Sequence, residues 1–456
     1  MHQIIILTGW ISFVFLTVLA IGFVITHLLE REWRAFFRTI FVFGLLLTIF
    51  GMVLTFNFVS RELVLGSLIF IQLIAIFLII RYQNPAAIRI TEHQYKIDER
   101  AAIFHRFYRL KPGDEEFDKF YREQPDKKEI DESIRKLPPL GSPGGKSYFN
   151  LTSTFQTATF GVIEQLTKKL EWEPKSVEGK PVAGSAAEFS ARLKGYARFL
   201  GADLIGITKL NPAYVYSHIG RSEGEWGAPI QLEHSNAIAI AVKMDYEMIK
   251  HAPDSAVTTE SSIKYFEAAK IAMILARYIN LLGYEARAHV DGNYRVLCVP
   301  IAADAGLGEL GRLGLLITPE FGPRIRLSVV TTNLPLLHEK PTSFGVQHFC
   351  VICKKCATNC PSNSIASMDK KNVNGVEKWQ TEQESCYRFW RIQGSDCSVC
   401  INVCPYSNPN TLMHNLIRWL VRRNNFARRI VFWGDQFFYG KRRRSKYLLP
   451  DWHRRS

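Results

Sequence analysis

Two runs of closely spaced cysteines near the C-terminal end most constrain how this chain can fold. The first run reads C-x2-C-x2-C-x3-C-P, and the second keeps C-x2-C-x3-C-P but sets its first cysteine farther back. The first run consists of Cys350, Cys353, Cys356 and Cys360, and the second of Cys386, Cys397, Cys400 and Cys404. Four thiolates bind each 4Fe–4S cluster, and the fourth cysteine of such a run binds the other cluster when two are present.

We therefore predict two clusters whose ligands are exchanged between the runs. Cluster 1 is assigned to Cys350, Cys353, Cys356 and Cys404, and cluster 2 to Cys386, Cys397, Cys400 and Cys360. A disulfide framework is disfavoured because eight of the nine cysteines lie within 55 residues. A structural zinc site is also disfavoured, because zinc favours two separated CxxC pairs and the first run has three closely spaced cysteines. Unrelated core thiols are the third alternative. The pattern favours electron transfer.

Residues 1–82 are predicted to form a membrane anchor of three transmembrane helices. The stretches 4–29, 39–60 and 63–80 contain no Asp, Glu, Lys or Arg. Each can cross a hydrocarbon core of about 30 Å. A cleaved signal peptide is disfavoured because the first stretch lacks a basic n-region and two more stretches follow it. Buried helices of a soluble protein are the alternative for any single stretch.

The arginines around these stretches predict the orientation of the anchor. The loop after the first stretch carries Arg31, Arg34 and Arg38, whereas the loop after the second carries only Arg61. Further Lys and Arg follow the third stretch. Because cytoplasmic loops are rich in Lys and Arg, we expect a multi-pass protein of the inner membrane whose soluble part faces the cytoplasm. That compartment also keeps thiols reduced.

The remaining sequence divides into four segments, and the predicted fold class is α/β (α+β). Residues 83–184 have mixed charge and many Pro and Gly, which is typical of a linker and wrapping segment. Residues 185–345 form a mixed α/β domain, 346–410 hold the cysteine runs, and 411–456 are a basic aromatic tail. Within the α/β domain the patterns predict helices over 188–201 and 258–282 and strands over 203–207, 237–242 and 327–330.

The C-terminal tail supplies most of the excess positive charge of the chain. From residue 418 to the end it carries twelve Lys or Arg and two Asp, while the net charge of the whole chain is +15. Membrane lipid is a plausible partner, because anionic headgroups attract basic segments next to membrane spans. A packed C-terminal helix with a solvated basic face is the alternative. Nucleic acid is the less favoured partner.

Four motifs in fixed order resemble the catalytic subunit of corrinoid-dependent reductive dehalogenases. They are DAGLGELGRLG at 304–314, ITPEFGPRIR at 317–326, TNLPL at 332–336 and FCVICKKC at 349–356. The resemblance covers residues 185–410 and rests on the combination of these motifs. It departs from the family at the N-terminus, where a membrane anchor looks fused and no twin-arginine signal is found.

The resemblance implies a nitroreductase-like domain that binds a corrinoid (cobalamin), attached to a bacterial-ferredoxin-like module with two 4Fe–4S clusters. It also implies that the clusters deliver electrons to cobalt, that an organohalide loses its halogen, and that a tyrosine supplies the replacing proton. The family holds its cobalamin without a protein histidine on cobalt. The expected electron donor is quinol-linked or a soluble reductant.

The resemblance also suggests which residues carry the chemistry. Tyr265 lies where the family has its proton-donating tyrosine, Arg326 is the candidate cation beside it with Arg324 as the second choice, and Asn293 is the candidate orienting residue. A cation next to a phenol favours proton loss. A core tyrosine is the alternative role for Tyr265.

Glycines and a lone cysteine complete the set of candidates. The resemblance suggests that Gly306, Gly308 and Gly311 allow a corrinoid to approach the backbone, and tight packing is the alternative. Their spacing matches a dinucleotide-binding loop, but no strand clearly leads in. Cys298 is expected to be a buried structural thiol.

Two other functions fit part of the sequence. An epoxyqueuosine reductase also combines cobalamin with two 4Fe–4S clusters, and Asp291 lies where that family has its catalytic Asp. The three predicted spans and the PEFGPR motif disfavour this alternative. A membrane electron-transfer iron–sulfur protein without a corrinoid is the other, and it predicts iron but no cobalt.

Overall fold

The computed structural model describes residues 2–55, 66, 73, 80, 96–168, 170, 175, 179–221, 224–441 and 450–453. The chain divides into two compact units. The helical unit consists of Met1–Pro85, Val351–Cys353 and Pro409–Arg443, and the α/β unit of Ala86–Cys350, Lys354–Asn408 and Arg444–Ser456.

The helices follow one another along the chain from the first apolar stretch to the basic tail. They are α1 His2–Leu29, α2 Trp33–Thr55, α3 Ile103–Arg109, α4 Glu115–Glu123, α5 Pro125–Arg135, α6 Asn150–Leu166, α7 Ala186–Phe199, α8 Tyr246–Lys250, α9 Ser255–Leu281, α10 Cys298–Asp304, α11 Val346–Cys353, α12 Lys355–Asn359, α13 Gln383–Gln393, α14 Val399–Asn402, α15 Leu412–Val421 and α16 Asn425–Tyr439. Short 3-10 turns cover Glu99–Ala101, Pro212–Tyr214, Pro405–Ser407 and Asp451–His453.

The strands all lie in the α/β unit. They are β1 Leu204–Lys209, β2 Asn236–Lys243, β3 Ala286–His289, β4 Glu309–Leu310, β5 Leu316–Ile317, β6 Ile325–Thr332, β7 Lys371–Val373 and β8 Val376–Lys378. Four of them form an antiparallel sheet in the order β1, β2, β6, β3, with register pairs such as Ile238 with Val330. The pairs β4–β5 and β7–β8 are separate hairpins.

The long helix α9 packs along this sheet through small side chains. Ala268, Ala269, Ala272 and Ala276 are all buried and belong to the same hydrophobic core as sheet residues such as Ile238 and Val330. The small-residue side of the helix, which could also have admitted a flat ligand, therefore serves to bring the helix close to the strands. Burial of this apolar surface provides most of the driving force for packing.

The structure confirms the helices and strands predicted within the α/β domain. The first predicted helix is α7, where the Ser185 side chain accepts a hydrogen bond from the Glu188 backbone N–H. The second, α9, begins three residues earlier than predicted because Asp254 caps it, and Gly283 follows it with φ +90°. Strand β3 was not predicted, because it is short and carries Arg287, whose charge conceals a buried strand.

The segment before the α/β domain, predicted to be a linker, contains helices with buried side chains. Arg106 on α3 and Asp131 on α5 are fully buried and form an ion pair of 2.7 Å between Nε and Oδ2. Arg106 also reaches Glu384 on α13 at 3.1 Å. The segment therefore wraps the cysteine-rich module through specific charged contacts and is more than a tether.

The helical unit contains two of the three predicted membrane spans. Residues Leu7–Leu29 and Trp33–Thr55 form helices that are long and apolar enough to cross a membrane. The third predicted span, 63–80, falls almost wholly outside the described residues. Because α2 begins at Trp33, its first turns include Arg34 and Arg38, which the prediction placed in the loop.

The predicted tail is largely helical and packs inside the helical unit. Arg38 donates a hydrogen bond to the Phe437 carbonyl and lies 4.7 Å from the centre of the Phe437 ring, which ties α2 to α16. His414 on α15 and Glu30 after α1 are both buried and approach within 2.8 Å. The packed-helix alternative therefore describes residues 412–439.

Asp131→Asn should destabilise the α/β unit strongly. The substitution leaves the buried Arg106 guanidinium without its main counter-charge, and breaking a buried ion pair on one side costs about 3–5 kcal/mol. The expected result is a large drop in the midpoint of thermal denaturation. Glu188→Gln, which removes the exposed partner of Arg192, is the control and should leave the midpoint nearly unchanged. Equal midpoints for the two variants would contradict this account.

Candidate active site

All nine cysteines lie in the described part of the chain and none of them forms a disulfide there, so the structure gives the disulfide alternative no support. Backbone conformation is unusual beside the two runs: Lys354, Cys397 and Ser398 have φ of 51° to 52°, in the left-handed region. Such residues cost free energy and concentrate at functional sites. Left-handed turns also expose successive backbone N–H groups, an arrangement that recurs around iron–sulfur clusters.

The structure brings together the four cysteines assigned to cluster 2. Burial raises the pKa of Cys386 to about 11, and a charge on Cys360 raises it further. Burial likewise raises the pKa of Cys397 to about 12, with Cys386 and Cys360 adding to the rise. Cys400 has a pKa well above the ordinary value, owing to burial and then to nearby thiols that include Cys397 and Cys356. These groups are costly to ionise together unless a bound metal supplies positive charge.

Cys360 differs from its neighbours because hydrogen bonds stabilise its thiolate. Burial raises its pKa, but donors from Ser362, Ser364 and Ile365 outweigh burial and lower the pKa below the ordinary value. The Ser364 backbone N–H lies 3.3 Å from the sulfur. Cys360 comes from the first run yet lies near members of the second, and Cys356 of the first run also lies near Cys400, so the assignment of cysteines to each cluster stays a prediction.

A buried arginine from the glycine-rich motif fixes the first run. The Arg312 Nε donates to the Cys350 carbonyl at 3.1 Å, and one Nη donates to the Ala366 and Met368 carbonyls. Its guanidinium lies 4.4 Å from the centre of the Trp379 ring. Burial raises the pKa of Cys350 to about 11, and Arg312 opposes the rise. Sequence reasoning missed Arg312, although it lies inside the quoted motif.

The eight cysteines form a donor set that fits two cubic clusters, because each cluster binds four thiolates and each thiolate binds a different iron atom. Among the described residues, no three His, Cys, Asp or Glu side chains are grouped closely enough to hold a single metal ion.

Tyr265 and Arg326 are brought together, as predicted. The guanidinium carbon of Arg326, on β6, lies 4.9 Å from the centre of the Tyr265 ring on α9. Burial raises the pKa of Tyr265 above 10, and the charge of Arg326 opposes this rise. The net pKa of Tyr265 lies above the ordinary value, so the phenol keeps its proton, and the cation only limits the rise in pKa.

Two further partners hold Arg326 in place. One Nη of Arg326 donates to the Ser261 hydroxyl at 2.6 Å and to an Asp396 carboxylate oxygen at 3.2 Å. Thr258, Ser261 and Tyr265 follow one another at intervals of three and four residues, so they lie on one face of α9. That helical face therefore meets Arg326 and the loop before Cys397.

A second arginine close to Tyr265 was not predicted. Arg221 forms an ion pair with Asp291, 3.2 Å between Nη1 and Oδ1, and its positive charge acts on both Tyr265 and Tyr294. Tyr294 donates to the Leu327 carbonyl at 3.2 Å. Arg221 comes close to Tyr265 only in the fold. No motif in the sequence marks Arg221, so sequence reasoning could not identify it.

Two other predicted residues, Asn293 and Arg324, form hydrogen bonds with groups other than Tyr265. The Asn293 side chain accepts from Arg287 at 2.6 Å and donates to the Thr167 carbonyl at 2.9 Å, so both ends of its amide are engaged. Arg324 donates to the Ser407 and Met244 carbonyls. Neither contact set includes Tyr265. The catalytic role of Asn293 stays a prediction.

The three candidate glycines are in close contact with protein atoms. A Cβ on Gly308 would lie 2.2 Å from the Ile317 carbonyl oxygen, and one on Gly311 would lie 2.5 Å from the Ile317 side chain. A Cβ on Gly306 would lie 2.8 Å from the Lys340 carbonyl oxygen. The described neighbours thus support the packing alternative, and a corrinoid contact of Gly306, Gly308 and Gly311 stays a prediction.

Residues 349–408 match the family model described as "4Fe-4S dicluster domain". A tetrachloroethene reductive dehalogenase of Sulfurospirillum multivorans is 31% identical over 316 residues, which cover 61% of this chain and 63% of that protein. Another, of Desulfitobacterium hafniense, is 32% identical over 300 residues, 54% of each chain. The chain is related to the reductive dehalogenases. It spans little more than half the length of the second of these relatives.

A solved structure of the catabolic reductive dehalogenase NpRdhA, in complex with 3-bromo-4-hydroxybenzoic acid, is also similar to this chain. The identity is 25%, the TM-score is 0.62, and the match covers 80% of this chain and 49% of that one. These matches confirm the predicted resemblance, the mixed α/β fold and the two-cluster module. An epoxyqueuosine reductase of Lactococcus garvieae matches only 114 residues, at 30% identity.

The exchange of ligands between the runs can be tested with single cysteine variants. Cys360→Ala should change the same electron paramagnetic resonance signal that Cys386→Ala changes, because both are assigned to cluster 2. It should also lower the iron content below the about eight irons per chain expected for two cubes. Cys298→Ala is the control and should keep full iron. A Cys360→Ala variant that instead alters the signal affected by Cys356→Ala would refute the assignment.

Proposed function

We propose that this protein is a membrane-bound reductive dehalogenase. It would pass electrons through two 4Fe–4S clusters to a corrinoid and replace a halogen of an organohalide by hydrogen. The observation that carries the proposal is the placement of Tyr265, stacked on Arg326, beside the loop that leads into Cys397. The resemblance to reductive dehalogenases, one described as B12-dependent, supports it.

The residues around Tyr265 are compatible with a bound ligand. The Nε–H groups of Arg221 and Arg326 are buried, and neither has a hydrogen-bond partner among the described residues. A buried donor without an acceptor costs free energy. A bound corrinoid or substrate could supply the missing acceptors. When bound, the corrinoid supplies a metal that accepts single electrons and reacts with the carbon–halogen bond.

Tyr265 is proposed to deliver the proton that replaces the halide. Because burial raises its pKa, the phenol is protonated at neutral pH and can act as an acid. Arg326 then stabilises the phenolate that remains after the proton leaves. Arg221 adds a second positive charge near the same oxygen. The pair of arginines thus stabilises the ionised state of Tyr265, whereas its burial favours the protonated state.

The epoxyqueuosine reductase alternative gains little from the geometry. Its candidate catalytic residue, Asp291, is engaged with Arg221 through both carboxylate oxygens, at 3.2 and 3.5 Å. A purely electron-transferring protein would not need a phenol flanked by two arginines. The dehalogenase proposal gives a role to the phenol and to both arginines.

The helical unit is proposed to anchor the protein in the inner membrane with its soluble part in the cytoplasm. Two apolar helices separated by a short, arginine-containing turn support an anchor. The tail helices pack against this pair, and their exposed Trp433 fits the aromatic belt found at membrane surfaces. Membrane lipid and an electron donor, quinol-linked or soluble, remain proposed partners.

Anaerobically purified protein, reconstituted with cobalamin, should contain about eight irons and one cobalt per chain and release halide from organohalides supplied with a strong reductant. Tyr265→Phe should abolish halide release and leave the cluster and cobalt spectra unchanged, since only the proton donor is lost. Ion chromatography measures the halide. Tyr196→Phe, on the exposed side of α7, is the matched control. Full turnover by Tyr265→Phe would remove Tyr265 from the mechanism, and iron without cobalt would refute the corrinoid.

A topology reporter tests the orientation. Alkaline phosphatase fused after residue 110 should be inactive, because that enzyme folds only in the oxidising periplasm. Green fluorescent protein at the same position should fluoresce and serves as the positive control. An active phosphatase fusion would contradict the cytoplasmic assignment.

A further inference from the structure

We propose that Asp396 is a positioning residue that holds Arg326 on the face of Tyr265. The proposal rests on the proposed dehalogenase function and extends it to a residue that the sequence did not single out. Asp396 comes directly before Cys397, a predicted ligand of cluster 2. One residue would therefore connect the cluster loop with the proton donor.

The carboxylate of Asp396 divides its two oxygens between two elements. Oδ2 accepts from the Arg326 guanidinium at 3.2 Å, and Oδ1 accepts from the Thr258 hydroxyl at 2.8 Å. The Thr258 hydroxyl in turn accepts from the Asp396 backbone N–H at 3.0 Å. This reciprocal pair fixes Asp396 on α9 with little freedom to rotate. Its remaining oxygen is thereby directed to Arg326.

The ion pair is well shielded from water. The side chains of Arg326 and Asp396 are each only 12% exposed. Charge-assisted hydrogen bonds are stronger than neutral ones, and a low local dielectric strengthens them further. The other acceptor of Arg326, the Ser261 hydroxyl, is neutral. Asp396 is therefore the main electrostatic restraint on the guanidinium among its hydrogen-bond partners in the described chain.

The position of the guanidinium matters for the phenol. A cation attracts an aromatic ring only while it lies over the ring face, and Arg326 lies 4.9 Å from the ring centre. A flexible arginine without Asp396 could rotate away from Tyr265. Displacement of a catalytic partner by about 1 Å can lower a rate by about 100-fold.

Asp396→Asn tests this role. Asn can still accept from the Thr258 hydroxyl, but its amide N–H₂ would face the Arg326 N–H groups, and donors repel each other. Turnover should fall about 10- to 100-fold, while KM and the iron and cobalt contents stay unchanged. Glu188→Gln, which removes the exposed carboxylate paired with Arg192 on α7, is the matched control and should keep full turnover.

A double-variant cycle separates positioning from a merely structural role. If Asp396 acts through Arg326, Asp396→Asn should have no further effect on kcat in an Arg326→Gln background. An additive loss would overturn the proposal, and so would loss of iron from Asp396→Asn. If Asp396→Asn folds poorly, Thr258→Val replaces it in the same cycle, because Thr258 orients the carboxylate. The same non-additivity is expected, and additivity overturns the proposal.

A crystal structure of Asp396→Asn gives a readout that needs no turnover. The Arg326 guanidinium should leave the face of the Tyr265 ring. An unmoved guanidinium would overturn the positioning role even if the protein were inactive. Absence of halide release from the unsubstituted protein would instead refute the proposed function. The structural comparison would still decide whether Asp396 holds Arg326, so the two failures can be distinguished.

Discussion

Burial of thiols that must ionise is the constraint on which the rest of the α/β unit depends. Cys350, Cys386, Cys397 and Cys400 all have raised pKa values because they are removed from water. A protein cannot hold so many buried thiolates close together without compensation. Bound iron would supply positive charge, and hydrogen bonds such as those to Cys360 also stabilise a thiolate. The arginines around the cysteine runs fix the backbone that this arrangement requires.

In the proposed mechanism, helix α9 connects the cluster that delivers electrons with the tyrosine that delivers the proton. Its buried alanines bring it against the sheet, and Thr258, Ser261 and Tyr265 precede Ala268 in one row on the same face of the helix. Thr258 contacts Asp396 in the loop before Cys397 and Ser261 contacts Arg326 on β6, so these contacts fix the helix in the two turns before Tyr265. Tyr265, the proposed proton donor, thus lies on a helix that is held by its contacts with the core, which favours a rigid site.

The parts of this structure that sequence predicted are those with local signals. Cysteine spacing indicated the clusters, and apolar periodicity with capping residues indicated α7, α9, β1, β2 and β6. Strand β3 and the helices around Arg106 were missed because buried charges there interrupt the apolar pattern. Arg221 and Asp396 were missed for another reason. They reach Tyr265 or Arg326 across long separations in the chain, and neither lies in a motif whose spacing marks it.

Two arginines on one short stretch contact both ends of the second closely spaced cysteine group. Arg326 binds Asp396, just before Cys397, and Arg324 binds the Ser407 carbonyl, just after Cys404 and Pro405. Because only Ile325 separates these arginines, the path of ten residues between their partners, 397–406, has a fixed span. Insertions or deletions should therefore be poorly tolerated there. The β7–β8 hairpin between the two cysteine runs is held near both ends by Arg312, which binds the Met368 carbonyl before it and the Trp379 ring after it, so its length is expected to be constrained in the same way.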